Sequence, residues 1–347
     1  MSALDVGLVG TVPLKDTDTV LRTVGATLGH RIRRIPDGET GKRAYWVTSQ
    51  AWVINKHPAF QPIGHNWDPE SGTVPETGPG KWGLKPGIDS KSVTLPSFGY
   101  PAAALASYAE FRALRDQGVL PKAARFQVSL PTPIAFIGAL VDPASQAQVA
   151  HAFESCMMRE LAEVLAAVPA HDLAIQWDVC VEIFVLEGVR KLWFEDAMAG
   201  ILDRLVALGA AVPMPAELGY HFCYGDFRHK HGVDPKDMGL MVELANALTA
   251  RVPRRIDWLH MPVPRDRDDD AYFAPLHDLR VEHETELYLG LVHFTDGVDG
   301  ARKRIATARR HRDRFGIATE CGLGRRPPTT IEPLLKIHAA VADAVGG

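Results

Sequence analysis

Short apolar runs of strand length alternate along this chain with longer amphipathic stretches of helical period. The runs read as strands are 4–10 (LDVGLVG), 31–36 (RIRRIP), 123–130 (AARFQVSL), 173–179 (LAIQWDV), 216–223 (AELGYHFC), 255–261 (RIDWLHM), 286–293 (ELYLGLVH) and 315–321 (FGIATEC). Residues 146–168 and 193–209 are rich in Ala, Leu and Glu at helical spacing, and 235–251, 298–314 and 328–345 also read as helices. Pro235 and Pro328 suit first-turn positions. Strands alternating with helices predict a parallel α/β fold. Eight such strands predict a (β/α)₈ barrel (a TIM barrel) formed by residues 1–347 as a single domain, with an open doubly wound sheet as the alternative. The first strand runs into GTVPL, not a Gly-x-Gly-x-x-Gly turn, and no Gly-x-x-x-x-Gly-Lys-Ser/Thr occurs. The usual dinucleotide and phosphate-loop signatures are therefore missing.

Residues 57–98, after the second strand region, break the alternation with a Pro-, Gly- and Trp-rich insertion. A connection of that length is expected either as a lid or hairpin excursion, or as a patch on the barrel surface. Trp46, Trp67 and Trp82 line an aromatic pocket on the first reading and pack internally on the second.

A net charge of −4 with no long basic run gives no support to nucleic-acid or membrane-surface binding. The first residues, MSALDVGLVGTV, do not read as a signal peptide, and no apolar run is long enough to span a bilayer. A cytoplasmic protein is expected, and a homodimer is compatible with the fold. In a reducing compartment the four cysteines are not expected to form disulfides. Cys156, in a helical pattern, and Cys180, after a strand, read as structural.

Barrel active sites form at the carboxyl ends of the strands. Those ends here carry Asp37 and Glu39, Asp178, His221 and Cys223, His260, His293, and Cys321. His221 and Cys223, two apart on a strand, share a face. Imidazole with thiolate suits Zn²⁺, although a lone His-x-Cys also fits a core histidine beside an inert thiol. Cys321 follows another strand, before Gly322 and Gly324. His229 and His231 have a loop spacing suited to a second metal, or are surface histidines.

GYHFCYGDF, followed about a hundred residues later by ATECGLGRR, resembles the zinc motifs of the cobalamin-independent methionine synthase family. Its wider superfamily includes uroporphyrinogen decarboxylase and zinc-dependent alkyl-thiol transferases. The resemblance runs from the GTVP turn to the last helix and is specific at IQWD, HFCY and ECGLGR. It implies one catalytic barrel, without the extra N-terminal barrel of full-length members, and His221, Cys223 and Cys321 as zinc ligands. The family's fourth ligand is a Glu near the end of strand six, where this chain has His260. His260 is thus either a ligand or a neighbour of the open position. Asp178 matches the Asp that holds the amino group of the thiol substrate, but Val179 replaces the Glu that usually follows. His293 lies two residues before the place of the family's proton-donating His, near Thr295, and is either a general acid or an ordinary strand-end residue. PDGETGKR resembles the Asp-Gly-Glu turn of single-barrel members; Asp37 and Glu39 either anchor a substrate cation or form an ion-paired turn with Arg43.

The expected function is zinc-dependent methyl or alkyl transfer to a small thiol, with a methyltetrahydrofolate-type donor implied by the resemblance. Two other readings remain: a zinc Lewis-acid lyase, hydrolase or demethylase acting on a small carboxylated, perhaps aromatic, compound, and a non-catalytic metal- or ligand-binding barrel.

Overall fold

A strand apolar on both faces needs cover on both, which a parallel sheet closed on itself and ringed by helices provides. Leu173–Val179 is such a strand, buried at every residue. The structure, a computed structural model, describes residues 4–71, 74–226 and 230–344. In chain order its strands are β1 (Arg34–Pro36), β2 (Phe60–Ile63), β3 (Lys81–Leu84), β4 (Arg125–Pro131), β5 (Leu173–Val179), β6 (Glu217–Phe222), β7 (Trp258–Pro262), β8 (Glu286–Gly290) and β9 (Gly316–Ile317). Seven of them form one parallel sheet in the order β1-β4-β5-β6-β7-β8-β9. Val6 bridges in parallel to Ile32 on one side and Ile317 on the other, which closes the curled sheet. The fold is the expected α/β barrel.

Its first stave is much shorter than the expected strand 4–10. The Val6 N–H reaches the Arg31 carbonyl at 2.8 Å and the Gly7 N–H reaches the Ile317 carbonyl at 2.8 Å. Beyond that, side chains replace ladder partners. Gln127 donates through Nε2 to the carbonyls of Leu8 (3.0 Å) and Val9 (2.9 Å), and Gln176 Nε2 to Val9 (2.6 Å). Other strands end early for local reasons. In β8 the Leu291 N–H turns back to the Leu289 carbonyl, and after β9 Thr319 Oγ1 donates to the Cys321 carbonyl. Helix 235–251 begins only at Gly239, so Pro235 lies outside it, and Pro328 opens a 3₁₀ turn before helix Ile331–Ala344. The sequence reading named no helix at Thr17–Leu28, Tyr100–Asp116 or Pro133–Leu140. Among the described residues no helix is long and apolar enough to cross a membrane.

Inside the barrel the side chains stack in layers. At the amino ends of the strands Arg34, 7 % exposed, pairs with Glu217 (2.5 Å) and Glu286 (2.7 Å) and lies over the Trp258 ring at 4.3 Å. Above it Ala174, Trp258, Tyr288 and Ala318 form a small apolar cluster separate from the main core. The Trp258 ring occupies space that Gly219 on the next strand leaves open, since a Cβ there would lie 2.0 Å from the indole.

The 57–98 insertion contains an antiparallel hairpin of β2 and β3. Trp82 is fully buried, donates to Asn55 Oδ1 at 3.1 Å and packs 5.8 Å from Trp67. Lys81 Nζ donates to the carbonyls of Gly138 and Ala139, both at 2.7 Å, in the last turn of helix Pro133–Leu140. Trp67 and Trp82 therefore pack against each other.

Gly219→Ala forces a methyl into the Trp258 ring, and overpacking of this kind costs about 1–3 kcal/mol. Urea denaturation is expected to show that loss, and adding Trp258→Phe to recover part of it.

Candidate metal centre

The register of the sheet sets the site. Asp178 on β5 pairs with His221 on β6, and His221 with His260 on β7, so three polar residues stand side by side near the carboxyl ends. Cys223 lies one residue past the end of β6, and its N–H still bonds the Val179 carbonyl at 3.0 Å. Cys321 arrives from the turn after β9. Its Sγ lies 3.4 Å from Cys223 Sγ and 3.8 Å from His221 Nε2. One ligand atom from each of His221, Cys223 and Cys321 falls within 4.8 Å of the others.

Zinc–sulfur bonds of 2.3 Å at tetrahedral angles separate two sulfurs by about 3.7 Å, so the spacing fits a shared ion. The thiols are also in an electrostatic state that an ion would invert. Cys223 is raised well above the usual thiol range by the neighbouring Cys180 thiol and by burial, against the opposing influence of Cys321. Cys321 is raised by Cys223 and by burial. Crowded thiols suppress one another's ionisation, whereas a divalent cation favours the thiolates. The Gly225 N–H, 3.2 Å from Cys223 Sγ, adds a donor that a thiolate would accept.

His260, the candidate fourth ligand, stands behind this group. Its Nδ1 lies 2.7 Å from His221 Nδ1, its Nε2 lies 2.9 Å from the Thr319 carbonyl, and the Phe222 carbonyl also approaches the ring. Burial pushes His260 down to about 4, and burial with His260 alongside holds His221 well below the ordinary imidazole value. Both rings are therefore neutral at pH 7.

His293 is buried, with Nε2 2.9 Å from the Val263 carbonyl and Nδ1 3.6 Å from Glu320 Oε1. Glu320 also meets His231 Nε2 at 2.9 Å and Arg326 at 3.9 Å. Burial opposes its ionisation, but the His231 and His293 contacts outweigh this and hold it far below the usual carboxylate range. His231 is thus an acid's partner, while His229 lies outside the described residues. The sequence reading missed Glu320, although it immediately precedes Cys321.

Asp37 and Glu39 divide in their roles. Asp37 accepts from Arg43 (2.7 Å), Ser107 (2.7 Å) and the Glu39 N–H (2.8 Å), the expected ion-paired turn. Glu39 holds a left-handed backbone at φ 47°, and its carboxyl accepts from Thr11 Oγ1. Burial, with the Asp37 charge, raises it to about 7. Asp178, on which Gln176 Nε2 rests at 2.9 Å, is pushed well up by burial and then by Glu39. Two buried acids thus influence each other's charge, while Asp37 is bound into the turn. Cys180, read as structural, lies beside Cys223. The pairing of Val179 with Phe222 sets it opposite Cys223, so it is part of the thiol cluster's surroundings and not a remote core residue.

No family model matches the sequence, and no curated sequence matches it significantly. Solved structures do. A putative vitamin-B12-independent methionine synthase from Listeria monocytogenes matches with a TM-score of 0.58 at 12% identity, over 100% of this chain and 99% of that one. A B12-independent methionine synthase from Shewanella sp. W3-18-1, in complex with selenomethionine, gives 0.60 at 16% identity, over 99% and 98%. A methyltransferase from Methanosarcina mazei gives 0.59 at 11% identity, over 100% and 95%. This chain shares their fold.

Glu182, two residues after Cys180 in sequence, is fully buried; Thr132 donates to its Oε1, and the backbone N–H groups of Glu182 and Cys180 approach the carboxyl without a well-formed bond to Oε2. Burial raises it to about 7, against the pull of Thr132. A carboxyl whose folded value lies above its unfolded value destabilises the fold as pH rises from about 4.5 through 7, by on the order of 3 kcal/mol once fully ionised. Glu182→Gln is therefore expected to raise the thermal midpoint at pH 8 and to give no gain near pH 5.

Proposed function

We propose that this barrel is a zinc-dependent enzyme that transfers a methyl or other alkyl group to a small thiol. The observation that carries the reading is the meeting of His221, Cys223 and Cys321, from the ends of two strands and distant parts of the chain, within 4.8 Å. The methionine synthase and methyltransferase barrels that share the fold support it.

His221 Nε2, Cys223 Sγ and Cys321 Sγ would hold the ion. Zinc at this centre supplies acidification of a thiol, so that the nucleophilic thiolate exists near neutral pH. The chain's own residues do the rest. The strands fix the ligand atoms on a rigid frame, which lowers the cost of orienting the acceptor. Asp178 and Glu39, buried together, favour a cationic guest; an ammonium between them restores both charges and would hold an amino thiol by the end remote from its sulfur. Glu39 fills the role of second acid that Val179 lacks. Glu320, between His231 and His293, favours the protonated form of His231, beside the place where a leaving group would need a proton. His293 has Nε2 committed to the Val263 carbonyl, so it can serve as an acid only through Nδ1 and Glu320. A methyltetrahydrofolate-type molecule is the proposed donor and a homocysteine-like amino thiol the proposed acceptor.

Purified protein is expected to hold about one zinc per chain, with Cys223→Ser and Cys321→Ser each weakening zinc by more than about a hundredfold. Because both thiols must ionise, loading at pH 7 is expected to release about two protons per metal, and affinity to fall as pH falls. Zinc-loaded protein is then assayed with methyl donors and a panel of thiols. Turnover that Cys321→Ser abolishes supports the proposal; zinc binding without thiol alkylation across the panel refutes it.

A further inference from the structure

The proton positions around the metal centre follow from its hydrogen bonds. A backbone carbonyl only accepts, so the 2.9 Å contact from His260 Nε2 to Thr319 places the proton of His260 on Nε2. His260 is buried with no carboxylate among its described contacts, so a second ring proton would be an unpaired buried charge; the ring carries one proton and Nδ1 keeps its lone pair. That lone pair faces His221 Nδ1 at 2.7 Å, so His221 Nδ1 is the donor and its own proton is used there. His221 Nε2 is then left unprotonated, and it is the nitrogen that faces Cys321 Sγ at 3.8 Å. The chain from Thr319 through His260 to His221 is a line of two donated protons, and it ends in a lone pair aimed at the thiols.

From this, and resting on the zinc reading above, we infer that His260 is a positioning residue and not a ligand: it fixes the tautomer and ring orientation of His221, and the metal takes three ligands from among the described residues. His260 has no nitrogen to spare: Nε2 lies 2.9 Å from the Thr319 carbonyl, Nδ1 lies 2.7 Å from His221 Nδ1, and the Phe222 carbonyl also approaches the ring. Thr319 lies two residues before Cys321, so the same turn that delivers one ligand also anchors the line that orients another. A metal histidine whose second nitrogen is held by a neighbour is a recurrent arrangement, and loss of such a neighbour costs about 10–100-fold in metal affinity. With one neutral imidazole and two thiolates, a divalent ion at this centre is formally neutral and keeps a position open for an anionic sulfur. The acceptor class that fits is a small thiol that binds as its thiolate.

X-ray absorption at the zinc edge of the zinc-loaded wild-type protein counts sulfur ligands directly and imidazoles by their outer-shell scattering. The expected first shell has two protein sulfurs and one imidazole, and a small thiol such as homocysteine adds a third sulfur. His260→Asn, which keeps an acceptor close to the place of Nδ1, is expected to retain that shell and to bind zinc within several-fold of wild type. His260→Leu, which keeps none, is expected to bind zinc about 10–100-fold more weakly in chelator competition while still showing one imidazole. Two imidazoles in the wild-type spectrum overturn the inference while leaving the zinc centre intact, and this measurement needs no variant to fold. Equal zinc affinity in wild type and His260→Leu also overturns it. A wild-type protein that binds no zinc overturns the zinc reading itself and takes this inference with it.

Discussion

The lateral register of β5, β6 and β7 is the constraint on which the site depends. Because Asp178, His221 and His260 are paired across adjacent parallel strands, their side chains enter the barrel at one height. A one-residue slip of β6 would turn His221 and Cys223 to the helical face and bring Tyr220 and Phe222 inside. Layers below the site oppose that slip. Trp258 needs the gap above Gly219, and Arg34 needs Glu217 at the foot of the same strand. The packing at the amino ends thus holds the chemistry at the carboxyl ends in place, though the two share no residue.

Burial that outweighs the nearby arginines gives the upper half of the barrel its electrostatic character. Glu39 and Asp178 are both shifted toward the neutral acid, and Cys223 and Cys321 toward the neutral thiol. Every one of these groups would be stabilised as an anion by an incoming cation. The interior therefore favours positive charge at two places, beside the buried carboxylates and beside the sulfurs. Glu320 is the exception, already ionised beside two histidines and Arg326.

Much of this was legible in the sequence because the signals were periodic or local. Strand 173–179 was read to the residue, since both its faces are apolar and it is bounded by turn residues. That His221 and Cys223 share a face was legible from period-two geometry, though not that the pair could hold a metal. What sequence could not supply was anything decided between strands. The place of His260 behind His221 depends on a lateral pairing and on the Thr319 carbonyl, which has no side-chain signature. Cys180 looked structural because its position opposite Cys223 exists only once β5 and β6 are aligned. Strand 4–10 was overestimated because the pattern of its apolar residues gives no hint that glutamine side chains replace a strand's hydrogen bonds.

That replacement has its own consequence. The joint where the ring of strands meets itself beyond Val6 is sealed partly by the amide nitrogens of Gln127 and Gln176 on the Val9 carbonyl. Both join a carbonyl that can only receive protons, so the seal depends on a single kind of atom in each side chain. Exchanging one such nitrogen for oxygen, the change from glutamine to glutamate, would set lone pair against lone pair in a dry interior. The cylinder would then be weakest at its own closure, and because Gln176 also donates to Asp178, a nearly isosteric change of one atom there would disturb that acid as well.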